Sequence, residues 1–331
     1  MTASTAPQSD AVIRTDGLSK TFVIRRKTGR VRREKVEVAA VSDVSVEVRR
    51  GEMVGYIGPN GAGKSTTIKM LSGILQPSGG TVRVGGLVPI DERRALARKI
   101  GVVFGQRSTL WWDLPLGETF DLLRHVYRIE PYRHRRNIEW YTELLDLGPL
   151  LSVPVRQLSL GQRMRGEITA ALLHDPEVLF LDEPTIGLDV ISKHAVRSAL
   201  AEMNRERGVT VVLTTHDLAD VEELCSRLVI IDHGRVIFDD ALATLMERHG
   251  DQRTLVVELA HPVPSLDVPG LECFRTEGPR QWLRFSRRSM SAADAFAAAS
   301  AVAEIRDITI EEPEIEEIVH RIYTSSPSPT A

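Results

Sequence analysis

The run Gly58-Pro59-Asn60-Gly61-Ala62-Gly63-Lys64-Ser65-Thr66 restricts the possible folds more than any other feature of the chain. It fits the pattern G-x-x-x-x-G-K-[ST] and lies between an apolar, strand-like run at 53–57 and a helix-forming run at 66–75. Glycines there let the backbone wrap an anionic group with its N–H groups, and the helix that follows adds a favourable dipole. Lys64 can then reach the β- and γ-phosphates of a nucleotide, with the Ser65 hydroxyl on Mg²⁺. A strand, loop and helix in this order belong to a sheet of largely parallel strands with helices on its faces. Apolar runs of strand length recur at 102–104, 178–181, 209–213 and 228–231, so an α/β domain is expected up to about residue 250. Residues 120–147 carry apolar positions at helical spacing and no strand, which predicts a helical insertion.

Composition narrows the classes. Among 331 residues, 42 are basic and 45 acidic, a formal net charge of −3 that gives no ground for a nucleic-acid partner. Two cysteines, Cys225 and Cys273, cannot build a disulfide framework, and neither has a His/Cys cluster nearby, so both read as inert. No apolar run approaches the ~20 residues a membrane span requires. Residues 1–10 lack the basic flank and apolar stretch of a signal peptide, and they and the tail 325–331 are expected to be disordered.

The strand at 178–181 ends in Asp182-Glu183. A buried strand delivers Asp182 to the sheet's C-terminal edge, where it can hold Mg²⁺ beside the phosphate loop, while Glu183 points elsewhere and can accept a proton from an attacking water. Upstream, Leu158-Ser159-Leu160-Gly161-Gln162-Arg163 precedes an apolar helix. Taken alone it is a serine N-cap with Gln162 at the capping-box position.

Between the phosphate loop and the acidic strand, however, this segment resembles the signature motif of ATP-binding cassette (ABC) ATPases, and the resemblance extends along roughly residues 11–248. Phe22 in Leu-Ser-Lys-Thr-Phe is similar to the aromatic that stacks on adenine. Gln106 resembles the Q-loop glutamine, 186–189 the D-loop ending in Asp189, and His216 in Thr-Thr-His-Asp the switch histidine. The resemblance implies a P-loop NTPase of ABC type with an antiparallel β-subdomain and a helical subdomain at about 107–173. Its cofactors would be ATP and Mg²⁺, with Ser65, Gln106 and Asp182 as metal ligands and Glu183, Gln106 and His216 in hydrolysis. Ser159, Gly161 and Gln162 would arrive from a second, head-to-tail copy, and separate permease subunits would hold the protein at the cytoplasmic face of the membrane. Leu160 departs from the family's usual glycine, but the Ser159 hydroxyl and the Gly161 N–H, which carry the implied γ-phosphate contacts, are kept. The wording Phe104-Gly-Gln-Arg-Ser-Thr-Leu-Trp-Trp-Asp-Leu-Pro115 resembles the type-2 drug and lipid export branch. An importer cassette is the nearer alternative. A family ATPase acting on ribosomes or DNA would carry two cassettes or a long coiled coil, and a phosphate-loop kinase would not need the signature segment.

Three features remain. Trp111 and Trp112 fall where the family's helical subdomain meets its permease, and at least one is expected to pack inside that subdomain. Residues 25–35 contain seven basic residues and one acid, expected as a solvated hairpin loop around Gly29 rather than a lipid-headgroup site. After 250, short strands at 254–259, 271–276, 281–285 and 308–310 and helices at 291–301 and 313–323 predict an accessory α+β domain over 251–324, with the acidic stretch 304–317 as a polar helix face.

Overall fold

The computed structural model describes residues 10–27, 33–105, 108–313 and 315–325. Most of both termini expected to be disordered, residues 28–32 of the basic segment, including Gly29 of the expected loop, and Gln106 lie outside these residues. The chain divides into two compact units, Met1–Asp239 and Asp240–Ala331.

The first unit opens with β1 (Ala11–Lys27), β2 (Arg33–Val44) and β3 (Glu47–Arg49), followed by β4 (Met53–Ile57) and α1 (Lys64–Leu71). Next come β5 (Gly79–Val84), α2 (Arg93–Leu96), β6 (Ile100–Phe104), α3 (Leu116–Tyr127), α4 (Pro131–Leu144) and α5 (Leu160–Leu172). It closes with β7 (Val178–Asp182), α6 (Val190–Arg207), β8 (Thr210–Thr214), α7 (Leu218–Leu224), β9 (Arg227–Asp232) and β10 (Arg235–Ala241), whose last residues enter the second unit.

One sheet runs β2-β1-β3, with β5 also on β1, and all of these pairs are antiparallel. The β1–β2 ladder continues to Lys27↔Arg33, so the basic segment does form the arms of a hairpin. The second sheet is six-stranded in the order β10-β9-β4-β8-β7-β6, with parallel pairing from β9 through β6. Every residue of β4 and β8 is buried, which explains why these strands read as unbroken apolar runs. Register decides what the sheet presents. Phe104 pairs with Asp182 and Asp182 with Thr214, so the residues that follow β6, β7 and β8 leave the sheet at one edge. Across the segment where a helical insertion is expected the structure has α3 and α4. Pro131 starts α4 after Glu130, whose carboxylate accepts from the Tyr132 and Arg133 N–H groups.

The second unit comprises α8 (Leu242–His249), β11 (Gln252–Leu259), β12 (Glu272–Glu277), β13 (Arg280–Ser286), α9 (Ala292–Val302), β14 (Ile305–Glu311) and α10 (Ile315–Ser325). Its antiparallel sheet has the order β12-β13-β11-β14. Leu255, Val257, Leu283 and Phe285 share its core with Ala295 and Ala299 of α9. Two expectations are corrected. The division falls at Asp239/Asp240 rather than after 250, because α8 packs with α10. The acidic stretch 304–317 is not one helix face: β14 takes its first half, pairing with β11, and α10 begins only at Ile315.

Candidate functional site

The loop after β4 forms because Gly63 adopts φ 110°, a backbone state L side chains avoid, and because a Cβ there would stand 2.5 Å from the Ala40 carbonyl oxygen. No side chain caps α1, so its first N–H groups face the loop. Lys64 is buried, and its Nζ donates to the Gly58 carbonyl at 2.6 Å and the Pro59 carbonyl at 3.4 Å, which holds the ammonium at the loop's mouth. A cleft of about 710 Å³ opens there, lined by Gly58, Pro59, Asn60, Gly61, Gly63, Lys64, Ser65 and Thr66, together with Ala40, Glu183, Ile186 and His216. Ala62 instead packs into the core.

Beside it, Ser65, Asp182 and Glu183 line a second hollow of about 280 Å³. The Ser65 hydroxyl donates to Asp182 Oδ1 at 3.1 Å, and so does Thr214 at 2.6 Å. A hydroxyl and a carboxylate converging in this way are hard oxygen donors that suit Mg²⁺, which keeps most of its other positions for water and phosphate. Glu183 has φ 58°, a state of order 1–3 kcal/mol above the ordinary regions for a non-glycine residue. The surroundings hold it there: the Glu183 N–H donates to the Thr214 carbonyl and the Gly105 N–H to the Asp182 carbonyl. The kink turns Glu183 away from the line of Asp182 and toward His216, whose Nδ1 lies 2.6 Å from Glu183 Oε2.

Behind this pair lies a network the sequence reading missed. Asp220 is fully buried, and its Oδ2 accepts from the Thr185 hydroxyl at 2.5 Å and the Thr215 hydroxyl at 3.0 Å. Thr185 follows Glu183 by two residues and Thr215 precedes His216, so one carboxylate ties together the turns that carry both. Arg197 Nε donates to Asp220 Oδ1 at 2.5 Å, and Lys193 Nζ to Asp217 Oδ2 at 2.5 Å. Burial pushes the Asp217 carboxyl up, but Lys193 and Arg197 together hold it below the usual carboxylate range. The available signal was the charge spacing: Lys193 and Arg197 stand four apart on one face of α6, and Asp217 and Asp220 stand three apart at the start of α7.

The remaining described candidates are not among the residues that line the cleft. Ser159 is exposed and caps α5 in a full capping box with Gln162. Asp189 caps α6 through Ser192, whose N–H and hydroxyl both donate to it and lower its pKa. These two caps abut each other: a Cβ on Gly161 would lie 2.4 Å from Ser192 Oγ. Phe22 lies on β1 opposite Val38, partly exposed, with Lys20 Nζ 5.3 Å from its ring centroid. Trp111 and Trp112 are 41% and 50% exposed, so neither is packed away as expected of at least one, and Arg163 sits over the Trp112 ring. Cys225 is buried and its thiol is pushed up to about 12, in keeping with an inert residue.

A parallel sheet that presents a phosphate-cradling loop, a hydroxyl–carboxylate pair and a kinked glutamate at one edge defines a phosphate-loop ATPase. The ABC transporter family profile matches residues 41–186. The chain is 32% identical over 214 residues to the ABC transporter ATP-binding protein NatA of Bacillus subtilis, covering 65% of this chain and 87% of that one. The methionine import ATP-binding protein MetN of Latilactobacillus sakei is 34% identical over 279 residues, 80% of each chain. The linearmycin resistance ATP-binding protein LnrL of B. subtilis is 35% identical over 210 residues, 63% of this chain and 67% of its own. A dimeric ATP-binding cassette in a post-hydrolysis state with ADP and Pi superposes with a TM-score of 0.59 at 27% identity, over 70% of this chain and 98% of that one. The chain belongs to the ABC transporter ATP-binding family and is an ATPase. Among the described residues no helix is long and apolar enough to cross a membrane.

Proposed function

We propose that the protein is the ATP-hydrolysing subunit of an exporter, held at the cytoplasmic face of the membrane by separate permease subunits. In this reading Lys64, the loop N–H groups and Ser65 hold the phosphates, and Glu183, oriented by His216, takes a proton from the attacking water. When bound at Ser65 and Asp182, with Gln106 as a further ligand, Mg²⁺ supplies charge neutralisation on the phosphates. Gln106 and His216 sense the γ-phosphate, and Phe22 offers its ring to the adenine.

The observation that carries the reading is the separation of Ser159 and Asp189 from the chain's own cleft, with Val190 and Ile191 each 83% exposed beside them. A head-to-tail second copy would bring Ser159, Gly161 and Gln162 onto the nucleotide. The test is sedimentation of the Glu183→Gln protein: it should be dimeric with MgATP and monomeric without it, and Lys64→Ala should abolish the shift. A monomer under both conditions would reject the two-chain site.

Export rests on the 104–115 segment and on the likeness to the Nod factor export ATP-binding protein I of Ralstonia nicotianae, 34% identical over 247 residues. The matched methionine import protein, which covers more of this chain, favours import as the second reading. ATP-driven uptake of an amphiphilic dye into inside-out vesicles carrying the permease would support export, and uptake only into right-side-out vesicles would support import.

A further inference from the structure

Glu167 has no part in the chemistry above, yet only 4% of it is exposed. It lies on α5, eight residues beyond Ser159, about 12 Å along the helix at 1.5 Å per residue. Its carboxylate accepts from both hydroxyls and one amide of the segment that follows β6. The Ser108 hydroxyl donates to Oε1, and the Thr109 hydroxyl donates to Oε2 at 2.6 Å. The Thr109 N–H lies 3.1 and 3.0 Å from the two carboxylate oxygens. A buried carboxylate is stable only when its oxygens are satisfied, so these contacts fix the position of 108–109 on the helix.

Two further contacts on α5 hold the same segment. A Cβ on Gly166 would stand 2.9 Å from Leu116 Cδ1 and 3.2 Å from Leu110 Cδ1, so glycine lets both leucines seat against the helix. Arg163, one turn before Glu167, covers Trp112 at 5.4 Å. On the other side, the Arg156 N–H donates to the Trp112 carbonyl and the Val155 N–H to the Leu114 carbonyl, both at 3.0 Å. The exposed indoles of Trp111 and Trp112 therefore stand on a base clamped to the helix whose N-terminus is Ser159.

We propose that Glu167 is a positioning residue: it latches the Trp111–Trp112 segment to α5, so that movement at the indoles and movement of Ser159 are one movement. The inference rests on the assignment of Ser159 to the nucleotide of a second copy. A core glutamate serving only stability would lower the melting temperature and leave turnover per folded molecule unchanged. A latch would change turnover and the environment of the indoles together.

The experiment uses the full chain carrying Trp140→Phe and Trp282→Phe, so that emission reports Trp111 and Trp112 alone. In the parent, MgATP should shift that emission. Glu167→Ala should keep KM for MgATP within about twofold, lower kcat about 10- to 100-fold and abolish the shift. Glu167→Gln should retain part of both, because its amide oxygen still accepts from Thr109. The Ser108→Ala/Thr109→Val double variant, which removes both hydroxyls and keeps the residue-109 N–H, should lower kcat and reduce the shift together, by less than Glu167→Ala, and decides the matter if that variant does not fold. An emission that ignores MgATP in the parent, or unchanged kcat and an unchanged shift in the latch variants, would overturn the proposal. Glu183→Gln separates the two readings: it should stop turnover and keep the shift, and normal turnover in that variant would count against the site assignment rather than the latch.

Discussion

In β4 and β8 every residue is buried, whereas along β13 fully buried residues alternate with more exposed ones. The first pattern belongs to a parallel sheet covered on both faces, the second to an antiparallel sheet whose α9-facing side is the apolar one. The consequence reaches beyond packing. Parallel strands all end at the same edge, so the residues after β6, β7 and β8 collect around one cleft, and Asp182, Glu183, Thr214 and His216 meet there although the sequence separates them. Antiparallel strands send alternate ends to opposite edges. Among the described residues the sheet of the second unit gathers no comparable set, and its aromatic and basic side chains pair with each other, as Arg275 does with Trp282 at 4.4 Å.

The largest effect that sharpens this contrast is on folding. Asp220→Ala removes the buried acceptor shared by Arg197 Nε and the Thr185 and Thr215 hydroxyls and should destabilise the first unit by about 3–5 kcal/mol. Urea unfolding followed at Trp111, Trp112 and Trp140 should move, while the Trp282 signal of the second unit stays. A joint shift would mean that the two units unfold as one.

The next is a pH effect confined to the first unit. His174 is buried and stacked on Tyr127, with Nε2 3.0 Å from the Ile100 carbonyl oxygen, and burial pushes its pKa down to about 4. A depressed folded pKa means stability that is complete above about 6.5 and is lost as pH falls toward 4, about 3 kcal/mol in all. In His174→Phe that part of the acid sensitivity should vanish from unfolding curves recorded between pH 7 and 4.

Glu183→Gln should reduce ATP turnover about 100-fold or more with ATP affinity kept, since the amide preserves the shape and removes the base. Full turnover in that variant would break the link between sheet edge and chemistry. The smallest effect concerns the second unit. Truncation after Asp239 should leave ATP affinity within about twofold, because the described residues that line the cleft, Ala40 to His216, all belong to the first unit. Loss of ATP binding by a truncated chain that keeps its circular dichroism would give the second unit a part in the nucleotide site.

The sequence by itself determined what can be satisfied within a few residues. The curl of the phosphate loop, where Lys64 Nζ bonds back to the Gly58 and Pro59 carbonyls, and the Ser159–Gln162 capping box are local, and their bonds close between neighbours in the chain. The apolar runs of β4, β7 and β8 likewise announced buried parallel strands. Tertiary structure alone decided which distant groups meet. The kink at Glu183 depends on the Thr214 carbonyl of the next strand, Asp220 reaches back 35 residues to Thr185, and Glu167 reaches 59 residues to Ser108. A buried carboxylate must find donors wherever packing brings them, and strand order and helix crossing set those partners while residue type and spacing leave them open.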